Sequence, residues 1–234
     1  MFFVWRHERI NVKWAWWGAP DSGKTQTLHA LADEVSRRVE GPQEASSVVG
    51  MTRNDVPVEV DEPDVRFSTY FCHPPDDLGE FGGWPLHYQI KTPEQPLEGN
   101  RALDKVLDGI SLVIFCADAA RDRQAANDRA LRDLVGRLAA REGLEGGAYR
   151  ANLDALFGET GPYRMVLQLN RADADDAVGL TAARRALFVL DYIPVVETVA
   201  TEGRGVWELF EAACAQMRPL LDAARERGRI PASS

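Results

Sequence analysis

Residues 14–34 read WAWWGAPDSGKTQTLHALADE: an apolar run breaks into a Gly/Pro/Asp/Ser turn, then come a lysine, a threonine and helix-forming residues. The stretch from Gly18 to Thr25, GAPDSGKT, satisfies G-x-x-x-x-G-K-[ST], and few short patterns restrict a fold more. Glycines let the backbone wrap until successive N–H groups point inward, and the helix that follows adds the positive end of its dipole. The product is a cradle for a polyphosphate. In such a cradle Lys24 carries its ammonium to β- and γ-phosphate oxygens, and the Thr25 hydroxyl coordinates Mg²⁺ as the candidate metal ligand. The candidate nucleotide contacts of this segment are Gly18, Asp21, Ser22, Gly23, Lys24, Thr25 and the adjacent Gln26. A plain strand-turn-helix explains Lys24 badly, because a cation in a first helical turn opposes the dipole.

Around this turn, strand-like and helix-like runs alternate. Strand patterns fall at 10–17, 65–72, 86–91, 111–117, 164–169 and 194–199. Helical patterns fall at 25–40, 97–107, 122–141, 181–190 and 205–226. The runs at 111–117 and 194–199 are nearly continuous in apolar or β-branched residues, as strands covered on both faces are. The alternation predicts an α/β fold, a mostly parallel central sheet with helices on both faces. One domain is expected over 1–226, with insertions near 41–59 (a long loop) and 142–161 (a short helix between glycines), and a flexible tail at 227–234.

A second constellation, Asn170-Arg171-Ala172-Asp173, follows the run RMVLQL. A carboxylate three residues after an asparagine at a strand's C-terminal end accepts both N1–H and N2–H₂ of guanine. Adenine lacks that donor pair. The stem of Arg171 would pack over the base, and Ala200-Thr201, after the last strand, would offer a backbone N–H to guanine O6. Taken alone, NRAD also reads as a capping Asp or Asn in a turn. Its place after the fifth strand of the alternation favours guanine.

Composition mainly excludes. The net charge is -9, with Lys and Arg scattered, so no basic stripe suggests nucleic acid. MFFVWRHERI is too short and too charged for a signal peptide, and no apolar run approaches the roughly 20 residues of a membrane span. Cys72, Cys116 and Cys214 read as reduced core residues of a cytoplasmic protein. His7, His29, His73 and His87 show no metal spacing, and Trp14, Trp16 and Trp17 read as core.

These motifs together resemble the bacterial Ras-like GTPases of the gliding-motility and cell-polarity type, the MglA family. The likeness runs over about residues 8–222 and rests on RINVKWAWWGAPDSGKT, LDGISLVIFCADAARDRQAANDRALRDL (with Asp118, Arg123 and Asn127), LQLNRAD and TVATEGRGVWELF. It implies a Ras-like P-loop GTPase fold, GTP/GDP and Mg²⁺ as ligands, and switch segments read by effector proteins. It also implies a Roadblock-type, MglB-like partner that accelerates hydrolysis. Arg66 is the candidate in-chain arginine finger, with a solvated edge-strand arginine as the other reading. Asp118 is taken as a structural turn residue, with a Walker-B carboxylate as the alternative.

LHYQIKTPEQP departs from that family pattern. The third strand of Ras-like proteins ends in a D-x-x-G-Q type motif: Asp holds a Mg²⁺ water, the Gly N–H meets the γ-phosphate, and Gln orients the attacking water. Those positions fall on Lys91, Glu94 and Gln95. Lys91 brings a cation that competes with Mg²⁺. Glu94 puts a carboxylate where bare backbone should approach phosphate. Gln95 remains the candidate for orienting water. The threonine that covers Mg²⁺ falls to Ser68 or Thr69. Two expectations follow: a guanine-nucleotide switch with impaired intrinsic hydrolysis, or a pseudo-GTPase scaffold.

Overall fold

The computed structural model describes residues 4–6, 9–38, 50–57, 66–74, 76–93, 101–187 and 189–231. Its centre is β2 (Arg9–Gly18), which feeds through a turn into α1 (Lys24–Arg38). On one side β2 pairs in parallel with β6 (Trp84–Pro93). On the other it pairs in parallel with β7 (Leu112–Asp118), which pairs with β8 (Arg164–Asn170), which pairs with β9 (Val195–Thr198). Beyond β6 the sheet turns antiparallel through β4 (Arg66–His73) to β3 (Gly50–Pro57). The order is β3-β4-β6-β2-β7-β8-β9: a mixed α/β architecture on a mostly parallel seven-strand sheet. Two short strands, β1 (Val4–Arg6) and β5 (Glu80–Phe81), add antiparallel pairs to β2 and β6.

The period of two in a strand divides the core into two layers. Trp14 and Trp16 face α1 and α5 (Val206–Glu226), among Leu28, Leu31, Phe210 and Met217. Ala15 and Trp17 face the opposite layer, built with α2 (Gln124–Arg141), α3 (Tyr149–Phe157) and α4 (Leu180–Ala186). Because both faces are covered, all seven residues of β7 are buried, and the sequence shows an unbroken apolar run rather than an alternation. The three tryptophans are fully buried, as core residues should be; Trp14 packs 4.6 Å from Tyr88 and 5.5 Å from Phe210 between ring centroids.

Some expectations need correction. The stretch read as loop at 41–59 contains β3, which among the described residues is an edge strand of the sheet and whose TRND core carries no apolar signal. In place of the α-helix at 97–107 there is a 3₁₀ turn at Arg101–Lys105, with 97–100 outside the described residues. α4 stops at Ala186, not at 190. Within the expected flexible tail, Ile230 is 2% exposed and the Trp84 indole donates to the Pro231 carbonyl at 3.0 Å, while the other described residues from 227 on are exposed. No helix among the described residues is long and apolar enough to cross a membrane.

Candidate functional site

The turn after β2 has the backbone the motif demands. Gly18 sits at φ 150°, and a Cβ there would lie 2.1 Å from the Cys116 carbonyl oxygen of the neighbouring strand. Gly23 sits at φ 95°, with the Asn170 side-chain nitrogen 2.0 Å from where its Cβ would be. Asp21 takes the left-handed conformation at φ 55°. Inside the wrap, the Lys24 ammonium donates to Ala19 O at 2.6 Å, Gly18 O at 3.1 Å and Ser22 Oγ at 3.4 Å. Burial holds its pKa below the ordinary lysine value, with Arg123 adding and Cys116 and Asp21 opposing. A poorly hydrated ammonium among neutral acceptors is a strong partner for an anion. Thr25 and Gln26 are exposed in the first turn of α1.

Asn170, at the end of β8, joins this loop to the next. It is 3% exposed; its Nδ2 donates to Ser22 O at 2.9 Å, and its Oδ1 accepts from Thr198 Oγ1 and from Ala200 N, both at 3.1 Å. Of the two backbone donors at Ala200-Thr201, the Ala200 N–H is therefore engaged by Asn170, because a buried amide oxygen needs a donor. Two residues upstream lies a node with no motif to announce it. Gln168, fully buried, accepts from Trp16 Nε1 at 2.9 Å and donates to Thr27 Oγ1 at 2.8 Å and Thr198 Oγ1 at 2.9 Å. Cys116 Sγ also reaches Ser22 O, at 3.1 Å.

Arg171, at φ 60°, turns its head to the fully buried Asp118, Nη1 to Oδ2 at 3.0 Å, and is one of the residues lining the cavity described next. The other Asp118 oxygen accepts from Ala120 N at 2.9 Å. Asn127 brackets the Asp118 main chain, accepting its N–H at 3.1 Å and donating to its carbonyl at 2.8 Å. Both Asp118 oxygens thus have partners within the protein, and the side chain is fully buried, in keeping with the reading of a structural turn residue.

One cavity of about 430 Å³ collects the two motifs. Asp21, Gly23 and Gln26 line it from the phosphate loop; Asn170, Arg171, Asp173, Ala200 and Thr201 line it from the loops after β8 and β9. Gly18, Ser22, Lys24 and Thr25 belong to the adjoining wrap. A larger cavity of about 760 Å³, around Arg164, Tyr192 and Pro219, shares no residue with it. There the Arg164 guanidinium donates to the carbonyls of Gly158, Glu159, Gly161 and Tyr163, so chemistry assigns the site to the smaller space.

Other candidates are not brought in. Lys91 lies opposite Ala15, short of the loop, and its ammonium donates to the Lys105 carbonyl at 3.2 Å beside the Phe67 ring. After burial, the charges that act on it are Lys13, which lowers its pKa, and Asp108, which raises it. Ser68 and Thr69 are interior residues of β4, each 2% exposed, rather than members of a covering loop. Arg66 opens β4 with its side chain outside the described residues, as are Glu94 and Gln95 entirely. Among the described residues no group of three or more His, Cys, Asp or Glu is placed to hold a metal ion.

No protein-family model matches the chain. Its sequence is similar to the mutual gliding-motility protein MglA of Myxococcus xanthus (strain DK1622), 24% identical over 211 residues, covering 90% of this chain and 92% of that protein. The chain is a distant MglA-like relative with the mixed α/β architecture of a Ras-like GTPase fold.

Proposed function

We propose that this chain binds guanine nucleotide as a Ras-like switch protein of the MglA type, with hydrolysis that is weak or dependent on a partner. The observation that carries the reading is the single cavity lined by Asp21, Gly23 and Gln26 on one side and Asn170, Arg171 and Asp173 on the other. Lys24 and the loop N–H groups hold the phosphates, and the Asp173 carboxylate accepts the paired donors of the base. Mg²⁺ suits the exposed Thr25 hydroxyl, and it typically stays on substrate phosphates and water rather than in an all-protein cage. When bound, that ion neutralises phosphate charge; the chain's own part is to position the polyphosphate over Lys24.

The likeness to a gliding-motility protein supports a role in motility. The family resemblance of the sequence motifs extends this proposal to cell polarity, with effectors and a Roadblock-type, MglB-like regulator as partners in the cytoplasm. Competition titration tests the base reading. GDP or GTP should bind at least about tenfold more tightly than ADP or ATP, equivalent to about 1.4 kcal/mol. Asp173→Asn should relax that preference, and equal affinities in the parent chain would sink it. A pseudo-GTPase scaffold is the second reading, favoured by Glu94 in the third-strand motif. Glu94→Gly should raise turnover from near zero if the motif alone has disarmed hydrolysis.

A further inference from the structure

Lys24 does not stand alone at the phosphate loop. Arg123, in the turn between β7 and α2, donates through an Nη2–H to the carbonyl oxygen of Pro20. Its Nε lies 3.7 Å from Asp118 Oδ2, the oxygen that Arg171 also holds at 3.0 Å. One fully buried carboxylate therefore faces two guanidiniums, one charge more than it carries, with Asp21 the acidic side chain of the loop itself. Asp118 is itself fixed by Ala120 N and Asn127, so the mount of Arg123 is rigid while its side chain keeps 30% exposure. Among the loop residues, Asp21 and Gly23 line the base-side cavity and Pro20 does not. A nucleotide seated in that cavity and passing over Lys24 sends its distal phosphate toward the edge of the loop where Arg123 is held.

We propose that Arg123 reads the length of the phosphate chain: its guanidinium contacts the terminal phosphate of a bound nucleoside triphosphate and so separates triphosphate from diphosphate. The assignment rests on the nucleotide reading above. A planar guanidinium matches phosphate oxygens in two-point geometry, and such charge-assisted bonds are roughly twice as strong as a bond to a neutral carbonyl. Pro20 O is therefore a partner that Arg123 exchanges readily for phosphate. Such a device is in keeping with the sequence, which has Glu94 at the motif position where a glycine would let the backbone approach the γ-phosphate. This gives the role of in-chain cation to Arg123 rather than Arg66.

Calorimetric titration of the full chain with GDP and with the β,γ-imido analogue of GTP, Mg²⁺ present, tests it. Arg123→Gln removes the charge but keeps an amide able to bond Pro20 O, whereas Arg123→Lys keeps a charge. The glutamine variant should lose at least about fivefold in affinity for the analogue and less than about twofold for GDP, and lysine should recover part of the loss. An unchanged ratio between the two nucleotides overturns the assignment. So does an equal loss for both with a lowered melting temperature, which would make Arg123 a brace of the loop. If the parent chain gives no heat with either nucleotide, the nucleotide reading fails and this proposal with it.

Discussion

Replacing Gln168 with leucine removes the buried node that ties the phosphate loop's helix to the end of β9. Three hydrogen bonds go, from Trp16 and to Thr27 and Thr198, but their partners are not left alike. Thr27 Oγ1 still donates to Gly23 O at 2.9 Å, and Thr198 Oγ1 still donates to Asn170 Oδ1 at 3.1 Å. Only the indole N–H of the fully buried Trp16 loses its sole described partner, at about 1–3 kcal/mol for an orphaned buried donor. The other two bonds add about 0.5–1.5 kcal/mol each, partly offset by the apolar surface leucine buries. The expected total is about 2–4 kcal/mol, a large share of the ~5–15 kcal/mol that holds a typical domain. Trp16→Phe removes the donor that would be orphaned, so Gln168→Leu should cost about 1–3 kcal/mol less in that background. Urea unfolding followed by far-UV circular dichroism measures all four corners of the cycle. A Gln168→Leu cost below about 0.5 kcal/mol, or corners that add within that margin, would refute the orphaned-indole argument.

Three further outcomes are expected. Gly23→Ala should lower the melting temperature with no nucleotide present, because the new Cβ would displace the Asn170 amide from Ser22; an unchanged melting curve would contradict the packing. Lys24→Ala should weaken GDP and GTP alike, by at least about tenfold, in a calorimetric titration, because it removes the one side-chain charge inside the wrap. Stability should also fall with acid. Burial first, then the stacked His73 and Arg9, lower the His87 pKa from 6.5 to about 4, so the folded chain binds fewer protons than the unfolded one in that window. The contribution is complete above pH 6.5 and is lost as pH falls through about 4. Linkage caps it near 3 kcal/mol, and solvent screening of a half-buried ring brings it lower. Urea midpoints of the parent and of His87→Gln, compared from pH 7 to 4.5, should converge on acidification.

What the sequence made legible follows from how local each signal is. GAPDSGKT carries its own conformational demand, and the continuous apolar run of β7 announces a strand covered on both faces. β3 escaped notice because an edge strand with polar residues has neither periodicity nor a buried run. The Lys91 contact is illegible for a different reason: a motif aligned by position does not say where a side chain's ammonium finds a carbonyl, here that of Lys105. Asp118 and Arg123 could be quoted from a family likeness, yet their partners lie 53 and 103 residues away in the chain, at Arg171 and Pro20. Gln168 and the spent N–H of Ala200 belong to the same class, since each depends on contacts made only when β8 and β9 pair.

The two loop glycines carry a consequence for how such a sequence can drift. At Gly18 the obstacle to a side chain is the carbonyl of Cys116 in the neighbouring strand, and at Gly23 it is the amide of Asn170. Both obstacles are parts of the protein, present whether or not a nucleotide is. A descendant that abandoned nucleotides would still be held to both glycines by folding, while selection on Lys24 and Asp173 for the ligand contacts proposed for them would lapse. Saturation mutagenesis scored separately for abundance and for ligand binding would separate the two groups. The glycines should fail on abundance, and Lys24 and Asp173 on binding alone. Loss of function in descendants of this fold would then be recorded first at the lysine and the carboxylate, with the surrounding G-x-x-x-x-G frame persisting as a fossil.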